Sequence, residues 1–362
     1  MNIDLSKIDK ENFMVHEGEV AGEKVYLINP QHIGCKFTKD TMIFRSSLWN
    51  SEGKLISASF KKFFNMGEQP ELTPVPKDIK NCTIVEKIDG STLLVSIYKG
   101  EFIFRTRGTI DATKHENGAE LEIFKEKYKN ILQEINSTFY DYTFIFEWTS
   151  PKNRIIISYG EEPEWYLIGV IDNRDYTLAK QITLDLSAIT YNIKRPQTYT
   201  FESVEDLVEN VEEWKSKEGV CLYYNGGQNI LKIKGKWYLQ LHSLKSEISS
   251  AEKLVDVYLN WGMPTYQEFE KKIIETFDFE LFSQIRGDVS KICEAKIEAD
   301  KIINHMLTFI SPLKNEPRKN AALEIIKSYG QTNRKSMCFL LLDGKMLGDK
   351  EYKTLILQSL VK

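Results

Sequence analysis

The chain has 362 residues, 42% of them hydrophobic and 28% charged, a length that favours two domains and a composition that excludes an intrinsically disordered protein. Its formal net charge of −4 excludes the overall basic balance that would by itself indicate a nucleic-acid-binding protein. The five cysteines are odd in number and lack a C-x-x-C pair, which argues against a disulfide framework or a zinc site.

The N-terminal part of the chain is predicted to be rich in β structure between residues 24 and 65. Within it, residues 42–49 and 54–59 have strand composition and flank a four-residue turn signal at 50–53. Residues 67–80 contain three prolines and predict an ordered connector between this region and the next strand.

Two strand-like runs, residues 82–85 and 92–98, flank the segment Glu-Lys-Ile-Asp-Gly-Ser at 86–91. Lys87 ends the first strand or begins the turn, so a rigid edge can present its amine to a cleft. A neutral lysine amine is a nucleophile towards phosphorus, but its ordinary pKa is near 10.4, so this chemistry requires surroundings that lower the pKa of Lys87. Gly90 is expected to let the backbone pass closely beneath a ligand. Taken alone, the tetrapeptide at 87–90 is better explained as a solvated hairpin turn.

The middle of the chain alternates helical and strand patterns. A third strand is expected at residues 101–109, a helix at 119–135 and a strand at 142–148, which carries Glu147 near its end. Further strands are expected at 155–159 and 166–171.

The acidic stretch at 202–217 is expected to be helical, and residues 220–224 and 230–241 predict a hairpin around the turn Asn-Gly-Gly at 225–227. Because side chains alternate along a strand, Lys232 and Lys234 share one face of it. Strand patterns end near residue 246. Beyond that point residues 282–310, 318–329 and 349–361 predict helices, so we expect a domain at 1–245 followed by a helical domain at 246–362.

The site candidates each have a simpler explanation when taken singly. Glu147 could be an exposed acid at a strand end, Glu218 the last acid of a helix, and the two lysines a solvated hairpin face. Arg45, Lys62 and Phe64 could be surface charges and a core aromatic.

Together the candidates predict nucleotide-triphosphate chemistry in a sequence that has neither a P-loop nor a G-x-G-x-x-G motif. The paired lysines can hold phosphates, the two carboxylates can bind Mg²⁺ or a ribose hydroxyl, and an aromatic ring can stack on a base. Lys87 then remains as the nucleophile.

The segment Lys-Ile-Asp-Gly-Ser at 87–91 resembles motif I of the covalent nucleotidyltransferases, which include DNA ligases, RNA ligases and mRNA capping enzymes. The resemblance is closest to the bacteriophage RNA ligase 1 family, which repairs cleaved tRNA, and it extends from about residue 23 to 245. Its other parts agree in order and spacing: residues 59–65, 146–147, 151–155, 218–219, 232–238 and 241–243.

The resemblance implies an α+β fold, in which a nucleotidyltransferase domain of antiparallel sheets with flanking helices precedes an all-helical C-terminal domain. It implies an ATP-dependent RNA ligase in which Lys87 becomes a lysyl-adenylate, AMP passes to an RNA 5′-phosphate, and a 3′-hydroxyl displaces the AMP. Glu147 would lie at the ribose and reactive centre, and Glu218 would help to hold Mg²⁺ or Mn²⁺.

The remaining implied ligands of ATP are cationic or aromatic. Arg45, Lys62 and Phe64 would contact the nucleotide and its phosphates, and Lys232 and Lys234 would hold the α-phosphate and the leaving pyrophosphate. The implied partners are single-stranded RNA ends or broken tRNA, and a polynucleotide kinase-phosphatase that prepares the ends. The expected compartment is the cytoplasm, or a host cytoplasm for a phage-encoded protein, without a membrane partner.

The sequence departs from the family pattern in three places. Ser46 replaces a glycine. Arg107 replaces a lysine of a Lys-x-Lys-Gly stretch; because the substitution keeps the positive charge, the resemblance still implies a catalytic role for Arg107. Pro264 and Thr265 replace an acidic pair, which leaves the family's second metal contact without a counterpart.

Two alternatives remain open for the activity. One is a DNA ligase or capping enzyme of the same superfamily, and the other is a non-catalytic protein that binds RNA or senses its damage. Residues 246–362 are either a packing domain or an RNA-selecting one that uses a basic set: Lys314, Arg318, Lys319, Lys327, Arg334 and Lys335.

Overall fold

The computed structural model describes residues 1–31, 34–115, 117–152, 154–247, 251–276 and 279–360. The chain divides into two compact units, Met1–Leu239 and Gln240–Lys362. The first unit contains the sheets, and the described part of the second unit is helical. The predicted architecture of antiparallel sheets with flanking helices, followed by a helical C-terminal part, is confirmed.

The strands are, in chain order, β1 (Phe13–Val20), β2 (Glu23–Pro30), β3 (Ser47–Asn50), β4 (Leu55–Ser57), β5 (Phe64–Asn65), β6 (Thr83–Lys87), β7 (Ser91–Tyr98), β8 (Glu101–Thr106), β9 (Tyr142–Thr149), β10 (Glu164–Asp172), β11 (Thr198–Tyr199), β12 (Gly219–Tyr224) and β13 (Asn229–Lys234). The helices of the first unit are α1 (Leu121–Lys127), α2 (Lys129–Ser137), α3 (Gln181–Tyr191) and α4 (Val204–Glu212), and α5 (Lys236–Glu247) crosses into the second. The strands form three sheets, ordered β1-β2-β3-β4, β10-β9-β7-β8 and β11-β6-β12-β13-β5.

The second and third sheets face each other across a shared apolar core, to which Leu94 and Ile145 contribute from one sheet and Val85, Cys221 and Ile230 from the other. Helices α1, α2 and α3 cover the outer face of the second sheet, where Phe124 and the two tryptophans of β9 and β10 are buried. Helix α4 covers the outer face of the third sheet. Because both sheets are covered on their outer faces, polar residues at strand ends are directed to the margins of this core.

Apart from strand ends that shift by one to three residues, predicted strands differ from the structure in three places, each for a local reason. The run predicted at 42–49 becomes a 3-10 helix, Thr41–Phe44, followed by β3, because Ser46 has a φ of 66° that no strand can accommodate. Residues 155–159 form no strand, since the amides of Ile156 and Ile157 donate to the carboxylate of Asp89 instead. The strand predicted at 230–241 ends at Lys234, and α5 begins two residues later.

The helix predicted at 119–135 is also interrupted. Tyr128, with φ −115° and ψ 24°, separates α1 from α2. Its ring is buried against Phe124 and Phe146, with centroids 5.0 and 6.1 Å away. The break therefore lets both short helices keep their apolar sides on the second sheet.

The second unit contains α6 (Ala251–Asn260), α7 (Tyr266–Thr276), α8 (Phe279–Leu313), α9 (Arg318–Tyr329), α10 (Arg334–Leu342) and α11 (Asp349–Leu360). The helices predicted at 282–310, 318–329 and 349–361 are confirmed as α8, α9 and α11 over the described residues. Within those residues, each helix lacks the length or the apolar composition that crossing a bilayer requires.

Candidate active site

Lys87 lies at the carboxyl end of β6, where the register of the third sheet brings two strands beside it. Gly219 pairs with Lys87 on one side and with Lys234 on the other. Glu218, the residue before Gly219, is therefore placed between the two lysines. Its Oε2 accepts from Nζ of Lys87 at 2.8 Å, and its Oε1 lies 2.8 Å from Nζ of Lys234.

The lysine–glutamate cluster is enclosed, since the side chain of Lys87 is 22% exposed and that of Glu218 only 3%. Burial lowers the pKa of Lys87, but the carboxylate charge of Glu218, with a smaller contribution from Glu147, outweighs burial and raises it above the ordinary value. The expectation that the surroundings lower the pKa of Lys87 is therefore wrong for this arrangement. As long as Glu218 is paired with it, the amine is held as an ammonium ion.

Glu147 is the second carboxylate beside Lys87. It lies in β9, pairs in the sheet with Thr92, and accepts a long hydrogen bond from its hydroxyl at 3.5 Å. Burial raises the pKa of Glu147 to about 7, although the charge of Lys87 opposes the shift. A carboxyl group that titrates near neutrality next to a lysine is typical of a functional site.

Four predicted cations line one adjoining cavity of about 660 Å³: Arg45, Lys62, Arg107 and Lys232. Burial and then Arg107 lower the pKa of Arg45 to about 9. Burial and then Arg45 lower the pKa of Lys232 to about 8, and the same two causes lower that of Lys62. Mutual repulsion of this kind is relieved by a polyanion, so the cavity is suited to a polyphosphate.

The N-terminal hairpin forms another wall of this cavity through Met14, His16, Asn29 and Gln31. The side-chain amide of Asn29 donates to the carbonyl oxygen of Arg107 at 3.0 Å. This hydrogen bond anchors the loop that presents the exposed Arg107 to the cavity.

Phe64, predicted to contact the nucleotide, is buried in β5 and is not among the residues that line the cavity. Its ring lies edge-on to Phe37, with centroids 6.3 Å apart, and Nζ of Lys62 lies 4.9 Å from its centroid. In this arrangement the ring of Phe64 packs beside the ammonium group of Lys62 and helps to position it.

Asp89 organises the loop after Lys87, a function that the sequence analysis did not assign to it. Its Oδ2 accepts from the amides of Ile156 and Ile157 at 2.8 and 3.0 Å, and its Oδ1 accepts from the hydroxyl of Tyr238 at 2.7 Å. Its own amide donates to the hydroxyl of Tyr159 at 2.8 Å. These partners are distant from Asp89 in the sequence. The one sequence signal for this hydrogen-bond network was Tyr238, which belongs to the resembling stretch at 232–238.

Gly90 packs closely against β9. A Cβ atom at this position would lie 2.6 Å from the carbonyl oxygen of Trp148 and 3.2 Å from Cγ of Glu147. The glycine therefore allows a close approach to β9, which keeps the loop of Lys87 against the strand that carries Glu147.

Arg105 is a second residue that the sequence analysis missed. Its side chain is 0% exposed, and burial lowers its pKa to about 9. Its six hydrogen bonds go to neutral oxygen atoms of Ser46, Ser57, Ala58 and Thr106. Both the hydroxyl and the carbonyl oxygen of Ser46 accept at 2.8 Å, so Arg105 holds the backbone next to Arg45 in its left-handed conformation.

The carboxylates available to a metal ion next to Lys87 are Glu147 and Glu218. Over the described ranges of the chain, no group of three or more histidine, cysteine or acidic side chains is arranged to hold a metal. Two carboxylates, completed by phosphate oxygens and water, suit a hard divalent cation such as Mg²⁺. In the second unit, Thr265 directly precedes α7, and its amide and hydroxyl donate to Glu268 at 2.8 and 2.9 Å.

The matching family model and two matching relatives are all named for RNA ligase activity. A family model described as RNA ligase matches residues 42–245. An RNA ligase of Rhodothermus phage RM378 is 28% identical over 393 aligned positions, which cover 86% of this chain and 84% of the relative. A protein of Autographa californica nuclear polyhedrosis virus, named as a bifunctional polynucleotide kinase/RNA ligase, is 29% identical over 228 positions, 57% of this chain and 31% of the relative. Among solved structures, an archaeal ATP-dependent RNA ligase aligns with a TM-score of 0.44 and 10% identity over 91% of this chain and 92% of that one.

Proposed function

The chain belongs to the bacteriophage-type RNA ligase 1 family and is an RNA ligase, and from this premise we propose that Lys87 is the residue that becomes adenylated. The observation that carries the proposal is the convergence of Lys87, Glu218 and Lys234 at the adjoining ends of three strands. The neighbouring cavity with its four cations supports ATP as the nucleotide, because its charge is suited to a triphosphate.

The proposed reaction has three steps. Nζ of Lys87 attacks the α-phosphorus of ATP, so that a nitrogen–phosphorus bond forms and the bond to the leaving pyrophosphate breaks. A terminal oxygen of an RNA 5′-phosphate then attacks the same phosphorus and releases the lysine amine. Finally, a 3′-hydroxyl attacks the 5′-phosphorus, expels AMP and leaves a phosphodiester bond.

The protein's contribution to these steps is mainly electrostatic. Lys232 and Lys234 would neutralise the α-phosphate and the pyrophosphate, and Arg45 and Lys62 would hold the outer phosphates, as in other phosphoryl transfers that proceed by positioning and charge. Arg107, which lines the same cavity as Arg45 and Lys62, would contact the reacting phosphates.

Lys87 has to lose a proton before it can attack. Glu218 is the largest interaction that raises the pKa of Lys87, and burial acts in the opposite direction. Separation of Glu218 from Lys87 would therefore leave burial dominant and would lower the pKa of the amine towards neutrality.

We propose that Glu218 and Glu147 contribute carboxylate oxygens to a Mg²⁺ or Mn²⁺ ion. When bound, such an ion supplies positive charge to the phosphate oxygens and the leaving group. Glu147 would in addition contact the ribose.

The proposed substrates are RNA ends that carry a 5′-phosphate and a 3′-hydroxyl, either single strands or broken tRNA. A polynucleotide kinase-phosphatase that prepares such ends is a proposed partner, supported by the viral relative named as a kinase/ligase. We place this reaction in the cytoplasm of a cell or of a host cell, in keeping with the two viral relatives.

We assign adenylation to the first unit and propose that the helical unit helps to select the RNA. Helices α9 and α10 carry most of the basic set, and Arg318 is already paired with Asp343 at 2.5 Å. Lys319 and Lys327 are the better candidates for phosphate contacts. Changing both to glutamate should weaken RNA joining while self-adenylation is retained, and equal loss of both steps would contradict this assignment.

The test of the proposed mechanism is covalent labelling. Incubation with α-labelled ATP and Mg²⁺, followed by a denaturing gel, should leave label on the wild-type protein and on a control with the exposed Lys80 changed to alanine. Lys87→Ala should carry none. Unlabelled wild-type protein, or equal label on Lys87→Ala, would overturn the proposal.

A substrate panel separates the alternatives that the sequence left open. A capping enzyme would prefer GTP, a DNA ligase would seal nicked DNA, and a non-catalytic protein would bind RNA without becoming adenylated. The proposed enzyme should use ATP and join single-stranded RNA ends.

A further inference from the structure

A second cavity in the first unit, of about 420 Å³, is not used by the proposed chemistry. Its cationic and polar lining includes Lys39, Lys61, Lys62, Glu71, Thr73 and Asn225. Lys62 lines both this cavity and the one beside Lys87, so the two are neighbours on opposite sides of its segment. The volume falls within the range of small-ligand sites, about 300 to 1,000 Å³.

The second cavity lies at the other end of the third sheet from the nucleophile. Ile230, which lines it, pairs with Tyr223, and Tyr223 pairs with Thr83. Thr83 precedes Lys87 by four residues in β6, a separation of roughly 13 Å along a strand. A ligand in this cavity would therefore bind away from the reacting centre and would leave Lys87 untouched.

The floor of the cavity is preformed, because its polar groups are already satisfied within the protein. The buried Tyr176 donates its hydroxyl to the carbonyl oxygens of Ile43 and Ser59 at 3.1 and 2.9 Å. Gln228 exchanges two hydrogen bonds with the backbone of Leu178, at 3.0 and 3.3 Å. The wall formed by the connector is anchored as well, since Tyr224 donates to the carbonyl oxygen of Pro74 at 2.6 Å.

A few polar groups of the lining are left for a ligand. Thr73 is 3% exposed, and within the described part of the chain its hydroxyl has no hydrogen-bond partner. Lys39 and Lys61 have no carboxylate within 4.0 Å among the described residues, and Nζ of Lys61 lies 5.6 Å from the ring centroid of Tyr176. Among the described residues of the lining, Glu71 is the one acid, so the local charge is positive.

We propose that this cavity is a subsite for a nucleotide of the RNA substrate, beyond the end that reacts. The inference rests on the proposed RNA ligase reaction. Lys39 and Lys61 contact the RNA phosphates, the half-buried Met42 and Phe63 contact the base, and the hydroxyl of Thr73 binds the ribose, whose 2′-hydroxyl distinguishes RNA from DNA.

The test measures RNA binding without turnover. In a Lys87→Ala background, the affinity for a short 5′-phosphorylated RNA is measured by fluorescence anisotropy between about 50 and 200 mM salt. Lys39→Ala/Lys61→Ala should weaken binding by about tenfold and make the log–log salt slope shallower by about 1.4, since each lost phosphate contact removes about 0.7. Lys77→Ala/Lys80→Ala, which changes two exposed lysines of the connector, is the matched control and should change neither quantity.

A second variant addresses the sugar. Thr73→Val keeps the shape of the side chain and removes its hydroxyl, so it should weaken RNA binding about threefold, the order of one lost hydrogen bond, and leave binding of the same DNA sequence unchanged. A variant that binds RNA and DNA as the parent does would overturn this contact.

The outcomes separate this subsite from the reaction on which it rests. In protein that retains Lys87, both Lys39→Ala/Lys61→Ala and the control Lys77→Ala/Lys80→Ala should self-adenylate as the parent does. If the parent itself does not self-adenylate, the ligase mechanism is refuted. Normal adenylation together with RNA affinity and salt slope equal to the control refutes the subsite alone. Variants with weakened binding of inorganic pyrophosphate but unchanged binding of RNA would identify a free-phosphate site and would also overturn the proposal.

Discussion

Nζ of Lys87 lies 2.8 Å from Oε2 of Glu218, and the pair is enclosed at the end of the third sheet. The same carboxylate contacts Lys234, so one acid links the candidate nucleophile to a candidate phosphate ligand. This ion pair keeps Lys87 protonated, and a protonated amine is not a nucleophile. Deprotonation of Lys87 therefore depends on which other group or ion binds Glu218.

Replacing Glu218 with glutamine should lower the pKa of Lys87, because burial then acts without the main opposing charge. We expect the pH at which the amine becomes reactive to fall by about 1 to 3 units. The rate at which Lys87 reacts with a small acylating reagent, followed by peptide mass spectrometry without ATP, gives this pH directly. Glu213→Gln, at an exposed acid, should leave the profile unchanged, and a shift of the Glu218→Gln profile to higher pH would contradict the argument.

Glu147 should make the protein less stable as the pH rises. Its folded pKa of about 7 exceeds the ordinary value of 4.5, so the folded state binds the proton more tightly and loses stability between these two pH values. Glu147→Gln removes this titration. Relative to the wild type, the variant should gain about 3 kcal/mol in its free energy of unfolding between pH 4.5 and 8.

Urea titrations at several pH values measure this difference. Glu161→Gln, at an exposed acid, should track the wild type throughout. A Glu147→Gln variant whose stability runs parallel to that of the wild type would show that the carboxyl does not titrate in this range.

Ser46 should respond differently to alanine and to glycine. Both changes remove the hydroxyl that accepts from Arg105, at a cost of about 1 kcal/mol, but only glycine relieves the backbone at a φ of 66°. Ser46→Ala should therefore be less stable than Ser46→Gly by about 1 kcal/mol in thermal or urea unfolding. Equal stability of the two variants would mean that the left-handed conformation is not retained.

Gly90→Ala should disturb both stability and adenylation. The added Cβ would lie 2.6 Å from the carbonyl oxygen of Trp148, a backbone atom that cannot move aside as a flexible side chain can. We expect a loss of about 1 to 3 kcal/mol in unfolding experiments and slower self-adenylation, because the loop of Lys87 must separate from β9.

Gly287→Ala is the matched control for this change. Gly287 lies in α8, and among the described residues, apart from the helix's own backbone, nothing lies within 4 Å of its added Cβ. Alanine should therefore stabilise the helix by about 0.5 to 1 kcal/mol. If Gly90→Ala behaved like this control, the close approach to β9 would be unimportant.

The sequence alone determined features that depend on neighbours along the chain. Alternation placed Lys232 and Lys234 on one face of a strand, turn residues located the hairpin between β12 and β13, and apolar spacing located α8, α9 and α11. Strand prediction from local patterns failed at Ile156 and Ile157, because their backbone amides donate to the distant carboxylate of Asp89 instead of to a neighbouring strand. It also failed at Ser46, whose backbone is in the left-handed region.

Only the tertiary structure decided how the candidate residues act on one another. Glu218 is 131 positions from Lys87 and Tyr238 is 149 positions from Asp89, so strand pairing and packing, not sequence spacing, make them partners. The raised pKa of Lys87 has the same origin. A lysine's acidity depends on the balance between desolvation and nearby charge, and that balance exists only once the three strands that carry Lys87, Glu218 and Lys234 are side by side.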